Sequence, residues 1–169
     1  RDVVALTVSK LKSSIAHDQE SATVWDDAVT NSLARNPDWM ETNLGVWMNT
    51  YFGHDAAIVL TADLNPIYQF LVDHNDASTA DGLRTAYLPL ATKLKERLIA
   101  GDQDGTSSKV LSIGEADIVY VGSRPAIVSI KPIVSDTGDI EQQPGRENLH
   151  VAVRFLDGDL AATVGQEYQ

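Results

Sequence analysis

The sequence contains no cysteine among its 169 residues. This absence excludes disulfide bonds, thiolate nucleophiles and cysteine-ligated metal sites. It does not fix the cellular compartment, because a bacterial periplasmic domain and a cytosolic domain both fit a chain without cysteine. The length predicts a single domain with a hydrophobic core of its own.

Basic residues and long apolar runs are also scarce. Lys and Arg number 13 against 24 Asp and Glu, so the formal net charge is -11. A field of this sign repels nucleic acid and anionic membrane surfaces, although a local Arg or Lys can still hold an anionic small ligand. No apolar run approaches the length of a membrane span, and no signal peptide is visible.

Motifs of catalysis and metal binding are missing from the chain. It has no Gly-x-Ser-x-Gly elbow and no histidine pair at a metal-ligand spacing. Its four histidines, His17, His54, His74 and His150, are scattered. Asp102-Gln103-Asp104-Gly105 resembles a fragment of a calcium loop, but the remaining ligand positions are absent. We therefore predict a protein that is not an enzyme and that uses no metal or cofactor.

The chain begins with an amphipathic helical pattern. Its apolar seam consists of Val4, Val8, Leu11 and Ile15, and the pattern predicts one helix over residues 2–34. Because the period is close to a heptad, the seam fits a parallel homodimer, and it fits equally a helix packed on the chain's own sheet. A second helical pattern over 160–168 closes the chain, and we expect a domain excised between two flanking helices.

The remaining elements follow from caps and β-prone segments. Asn36-Pro37 predicts a helix start, Gly45 a helix end, and a further helix begins at Thr79 or Asp81. Predicted strands cover 56–61, 67–72, 116–121, 126–134 and 149–155. This order predicts an α+β protein whose antiparallel sheet is covered by helices on one face.

All three tryptophans, Trp25, Trp39 and Trp47, lie close to acids or amides within residues 25–63. One interpretation is an ordinary aromatic core. The other is a slot that stacks a flat or cationic ligand. Asp26 and Asp27 are adjacent, and helical neighbours point about 100° apart, so at most one of them can share a pocket with Trp25.

Two cations stand in or beside the predicted strands, Arg124 and Lys131. Lys131 alternates with Ile127, Ser129 and Ile133 and therefore shares their face of the strand. A cation on a half-buried face suggests a carboxylate partner or a ligand. Alternatively, this lysine protects an edge strand from aggregation.

Five short motifs occur in order: Trp25-Asp26-Asp27-Ala28, Asn43-Leu44-Gly45-Val46-Trp47, Gly53-His54-Asp55, Arg124-Pro125-Ala126 and Arg154-Phe155-Leu156-Asp157-Gly158. Together they resemble the fourth subtype of CHASE domains, the cyclase and histidine-kinase associated sensory extracellular domains, over nearly the whole chain. The resemblance implies a periplasmic or extracellular domain of a bacterial inner-membrane protein, between two transmembrane helices. It implies an output module that is a diguanylate cyclase, a cyclic-di-GMP phosphodiesterase or a histidine kinase, and a fold related to PAS and Cache sensors. It implies no particular ligand.

On this basis we expect one sensor domain over 1–169. Residues 1–34 would form a signalling and dimerisation helix, 54–157 the sheet-containing body, and 158–169 a C-terminal helix toward the membrane. The predicted pocket lies between the sheet and the helical segment 25–47. Its residues are Trp25, Asp26, Asp27, Trp39, Asn43, Trp47, Asp55, Tyr68, Arg124 and Lys131, and the ligand is a small polar amino acid, amine or carboxylate. The alternative is a ligand-free dimerisation or protein-interaction module of the same receptor.

Overall fold

Five strands form one antiparallel sheet in the computed structural model, which describes residues 2–72, 77–158 and 161–162. The strands are β1 Ala56–Leu60, β2 Pro66–Leu71, β3 Glu115–Val121, β4 Arg124–Pro132 and β5 Leu149–Phe155. Their order across the sheet is β2-β1-β5-β4-β3. The α+β class and all five predicted strands are confirmed, because each observed strand covers its predicted segment to within two residues at either end.

Helices cover both faces of this sheet, so the prediction of helices on one face was wrong. The helices are α1 Asp2–Thr23, α2 Asp26–Leu33, α3 Pro37–Met40, α4 Trp47–Phe52 and α5 Ala77–Ile99, and a π-helical segment, Glu41–Val46, joins α3 to α4. On one face, Leu83 and Leu94 of α5 pack in one core with Ile58 and Val128. The continuous apolar run of β1, buried at all five positions, is what a strand covered on both faces requires.

The opposite face carries α1 and the helical segment from α2 to α4. Val8 and Ile15 of α1 pack with Ile127 of β4, while Leu44 and Met48 pack in a neighbouring core. Val59 and Ala152 of the sheet, and Ile133 directly after β4, complete these two cores. The predicted α1 seam therefore packs on the chain's own sheet.

The predicted helix over 2–34 is divided in two. Trp25 adopts an extended conformation (φ -166, ψ 127) between α1 and α2. Its N–H donates to the carbonyl of Val134 at 2.8 Å, and the N–H of Val134 donates to Thr23 at 2.8 Å. This exchange of backbone hydrogen bonds with a distant loop interrupts the helix, although the apolar spacing continues through Ala22 and Val29.

The second helical stretch, from 37 to 52, begins as predicted and ends later. Asn36 caps it by accepting the Trp39 N–H. Gly45 does not end it, because this residue lies inside the π-helical segment, and the helix ends at Gly53 with φ 73. At Gly45 an added Cβ would lie 2.2 Å from the hydroxyl oxygen of Tyr68, so the glycine permits close packing of helix on strand.

The segment after β5 returns to the start of α1. Leu156 and Ala161 share a core with Val4, Val8 and Leu11. Most of the C-terminal helix predicted over 158–169 lies outside the described residues, as does His74. Among the described helices, none combines the length and apolar character needed to cross a membrane.

Candidate functional site

Lys131 is buried against α1 and is paired by the protein itself. Its Nζ lies 2.8 Å from a Glu20 carboxylate oxygen and donates to the Ser112 carbonyl at 2.6 Å. Burial opposes the charge of Glu20, but hydrogen bonds from Lys131 and from the Leu111 backbone outweigh it and lower the pKa of Glu20. Of the two partners that the sequence suggested, a carboxylate or a ligand, the structure shows a carboxylate. The edge-strand interpretation was wrong, because β4 lies between β5 and β3.

Two histidines continue this polar interface between α1 and the sheet. His150 is fully buried between Gln19, whose amide lies 3.0 Å from Nδ1, and the Leu44 carbonyl, 3.1 Å from Nε2. Burial lowers the pKa of His150 to about 4, so it is neutral at pH 7, donating from Nε2 and accepting at Nδ1. His54 lies 3.1 Å from Asp18, and burial likewise lowers the pKa of His54.

Trp25 and Trp39 pack on each other near the loop that follows β4. Their ring centroids are 5.2 Å apart at an interplanar angle of 48°. The Asp26 carboxylate accepts hydrogen bonds from the hydroxyls of Ser135 and Thr137, which lower the pKa of Asp26. Asp27 is exposed, so the two adjacent acids have separate surroundings, as their helical spacing predicts.

Trp47 lies at a different site from the other two tryptophans. It packs against Tyr51 with ring centroids 4.0 Å apart, and it is 41% exposed. The Asn43 amide donates to the Trp39 carbonyl at 3.0 Å, inside its own helix. The structure therefore places the three tryptophans in two separate aromatic pairs, and the Asn43 amide binds backbone.

Tyr68 contacts the π-helical segment. Its hydroxyl donates to the Glu41 carboxylate, and burial together with this neighbouring negative charge raises the pKa of Tyr68. This hydrogen bond links β2 to the π-helical segment, next to Gly45.

Asp55 and Arg124, by contrast, meet at one end of the sheet. Asp55 directly precedes β1, Arg124 begins β4, and Arg154 and Phe155 end β5. Because β5 is antiparallel to both neighbours, these three strand ends coincide in space. Three of the five sequence motifs therefore converge here, namely those around Gly53, Arg124 and Arg154.

These residues line a cleft of about 300 Å³, which we call the sheet-end cleft. Its lining residues are Leu11, Gly53, Asp55, Arg124, Arg154, Phe155, Leu156 and Asp157. An adjoining recess of about 210 Å³ shares Asp55, Arg124 and Phe155 with it and adds Leu71, Val72 and Thr79. The combination of charged groups, an aromatic ring and an apolar recess is typical of a small-molecule site.

Two contacts order the side chains of the cleft. The Phe155 N–H donates to Asp55 Oδ2 at 2.7 Å, which holds this carboxylate at the strand end. The Arg124 guanidinium lies over the Phe155 ring, with its central carbon 3.7 Å from the ring centroid. Both contacts involve Phe155, the first through its backbone N–H and the second through its ring.

The sequence predictions contained only part of this site. Arg154, Phe155 and Asp157 belong to a motif noted above but were not among the predicted ligand-binding residues. Strand order would have identified them, since it places the end of β5 between the starts of β1 and β4, but no local pattern specifies strand order.

The described residues contain no cluster of three potential metal ligands. Arg97 binds the loop that resembles part of a calcium site. Its guanidinium pairs with Asp102 at 2.7 Å and donates to the Asp104 carbonyl at 2.8 Å. Asp102 also accepts the Asp104 N–H. An arginine thus occupies the place that a cation would need.

Comparison with known proteins identifies one family. A family model described as the CHASE4 domain matches residues 7–169, nearly the whole chain. No curated protein matches the sequence. The chain therefore belongs to the CHASE4 domain family, whose members are extracellular sensory domains of membrane signalling receptors and not catalytic domains.

Proposed function

We propose that this chain is the periplasmic ligand-sensing domain of a bacterial inner-membrane protein whose output is a cyclic-di-GMP cyclase, a cyclic-di-GMP phosphodiesterase or a histidine kinase. The observation that carries the proposal is the position of the sheet-end cleft. Leu11 of α1 and Leu156 after β5 both line it, and both belong to the core that joins the two ends of the described chain. A ligand there would contact the two segments that lead toward the flanking transmembrane helices.

The two halves of α1 are held very differently, which suggests how a signal would pass. Gln19 and Glu20 are buried and hydrogen-bonded to groups of the sheet and the adjoining loop. The first half packs through a few apolar side chains, among them Val4 and Leu11, which are only partly buried. Ligand binding would shift the populations of two arrangements of this first half, while hydrogen bonds hold the second half to the sheet and the adjoining loop.

The location is tested by labelling, because the chain has no cysteine. Ser108 is exposed in the loop after α5, so Ser108→Cys in the full-length protein provides one accessible thiol. A membrane-impermeant maleimide should label this variant in intact cells whose outer membrane is permeabilised, and the unsubstituted protein is the control. Labelling that appears only after the inner membrane is broken would contradict a periplasmic location.

The output is tested in the same full-length protein. Leu11→Asp places a charge between the cleft and the terminal core, where it should separate α1 from the segment after β5. We expect altered cellular cyclic-di-GMP or altered autophosphorylation at equal protein abundance, with the exposed Leu33→Asp as the matched control. Unchanged output in the Leu11 variant would count against coupling through this core.

The alternative function, a ligand-free dimerisation or interaction module, is favoured by a different observation. Val3 and Leu6 of α1 are 76% and 56% exposed, whereas the predicted seam of this helix packs on the sheet. A homodimer through the N-terminal helix would therefore use this second face. Sedimentation should then show a dimer that Leu6→Glu dissociates and Leu33→Glu does not, and a monomer at all concentrations would exclude this alternative for the isolated chain.

A further inference from the structure

The charges around the sheet-end cleft depart from those of the rest of the molecule. Arg124 and Arg154 both line it, in a chain with a net charge of -11. Among the described residues, neither guanidinium has an ion-pair partner, whereas Arg97 is paired with both Asp102 and Glu115. Two guanidinium groups that line one cleft, without an ion-pair partner in the described part of the chain, provide a local site for an anion.

The contact with Phe155 leaves Arg124 ready to bind a carboxylate. The central carbon of the Arg124 guanidinium lies 3.7 Å from the Phe155 ring centroid, which is a cation–π contact. The guanidinium itself is a planar fork of N–H donors. This planar fork matches a carboxylate through two parallel hydrogen bonds. Stacking also reduces the side-chain entropy lost when the carboxylate binds.

The cleft also contains negative charge, which a simple anion would leave unmatched. Asp55 is half-buried and lines both the cleft and the adjoining recess. The Phe155 N–H occupies its Oδ2, and Oδ1 remains as an acceptor among the described contacts. Asp157 adds a second, exposed carboxylate to the lining. Two guanidinium groups and two carboxylates line the same cleft, and this arrangement complements a ligand that carries one positive and one negative charge.

The adjoining recess determines what kind of side chain the ligand can carry. Leu71 and Val72 line it beside Phe155, so an apolar group can be buried there while the charged groups stay in the cleft. The cleft volume of about 300 Å³ lies at the small end of the range for ligand pockets.

We propose that the sheet-end cleft binds an α-amino acid with an apolar side chain, its carboxylate on Arg124, its ammonium on Asp55, and its side chain in the recess. This inference rests on the proposed sensory function, and it assigns the ligand class and the binding residues.

The first experiment uses the 169-residue chain and calorimetric titration with L-valine, L-leucine, L-isoleucine, L-methionine and L-phenylalanine. At least one should bind with a dissociation constant in the millimolar range or below and raise the melting temperature. For L-leucine, the matched probes are 4-methylpentanoate, which lacks the ammonium, and 3-methylbutylamine, which lacks the carboxylate. Each should bind at least tenfold more weakly than the amino acid. Binding by none of the five amino acids, or equal binding of a single-charge analogue, would overturn the proposal.

The second experiment locates the site. Arg124→Gln and Asp55→Asn should each weaken binding at least tenfold, and Asn at 55 keeps an oxygen that accepts the Phe155 N–H, so the strand end is preserved. Arg84→Gln, which removes an exposed guanidinium outside the cleft, should bind as the unchanged chain does. Unweakened binding in both cleft variants would place the ligand elsewhere.

The two proposals fail separately. If an amino acid binds the cleft but does not alter the output of the full-length protein, the binding site is supported and the sensory function is refuted. If the output responds to a different class of compound and no amino acid binds, the sensory function is supported and the proposed ligand class is refuted.

Discussion

At the scale of single residues, most of the buried polar side chains that the structure describes have a protein partner, and the Thr23 hydroxyl is an exception. Lys131 is 1% exposed, and its charge is compensated by Glu20 and by the Ser112 carbonyl. Gln19, fully buried, uses its amide on Ser129 and His150. Such groups are costly if one partner is removed, because the other is left buried and unpaired.

Lys131→Met should therefore destabilise the protein by about 3–5 kcal/mol in urea unfolding, because Glu20 would remain as an uncompensated buried charge. The double variant Lys131→Met, Glu20→Gln should recover much of this loss, since glutamine still accepts a backbone N–H from Leu111 or Ser112. The control is Lys12→Met, whose ion pair with Asp117 is on the surface and should contribute about 0–1 kcal/mol. Equal effects of the two single variants would contradict this account.

Gly45 provides a second prediction at this scale. In Gly45→Ala the new methyl group would meet the Tyr68 hydroxyl, and we expect a loss of roughly 1–3 kcal/mol from overpacking. Removing the obstructing oxygen in Gly45→Ala, Tyr68→Phe should restore part of it, which a double-mutant cycle measures. Additive effects in the cycle would mean that the two residues do not interact.

At the scale of elements, α1 is a helix with two different halves. Its second half carries Asp18, Gln19 and Glu20 in succession, and each side chain meets a polar group of another segment. Its first half makes apolar contacts with the sheet and with the segment after β5. The interface is therefore polar and specific at one end and apolar at the other.

The histidines make the polar end sensitive to acid. Unfolded His150 takes up a proton near pH 6.5, whereas burial keeps the folded residue neutral down to its pKa of about 4. The unfolded state thus binds more protons between these values, so stability is full above pH 6.5 and falls as the pH decreases toward 4, by roughly 3 kcal/mol in all. The lowered pKa of His54 acts in the same direction.

This prediction is checked by urea unfolding at pH 7 and pH 5. His150→Asn should show a smaller loss between the two pH values than the unchanged protein. His17→Asn, at an exposed position, should not change the loss. Identical pH dependence in the His150 variant would show that this residue is not responsible.

At the scale of the whole molecule, stability should be distributed unevenly along the chain. The three central strands β1, β5 and β4 are covered by helices on both sides. The first half of α1 has the sheet on one side only, and Val3 and Leu6 are exposed on the other. This end adjoins the sheet-end cleft through Leu11.

We therefore expect amide hydrogen exchange to be slowest in β1, β4 and β5 and measurably faster in residues 3–11 than around Gln19, because local opening of the first half exposes less apolar surface. Binding of an amino acid in the cleft should slow exchange in residues 3–11. Uniform protection along α1 would contradict the division of this helix into two halves.

Much of the fold follows from local patterns in the sequence. The strand at 149–155 was predicted with its observed bounds because β-branched residues and a following Asp-Gly mark it locally. Asn36-Pro37 likewise starts a helix through interactions within four residues. The break at Trp25 could not be predicted, because it depends on backbone hydrogen bonds to Val134, more than 100 positions away.

The motif order by itself indicated the family, the order of predicted helices and strands indicated the α+β class, and the composition excluded thiol chemistry. Tertiary structure alone decided which residues share a site. In the folded protein Lys131 pairs with Glu20, and Trp47 lies apart from the pair formed by Trp25 and Trp39. Asp55 and Arg124 both contact Phe155. The physical reason is that periodicity and capping act over a few residues, whereas these contacts depend on the strand order β2-β1-β5-β4-β3 and on helix packing across the sheet.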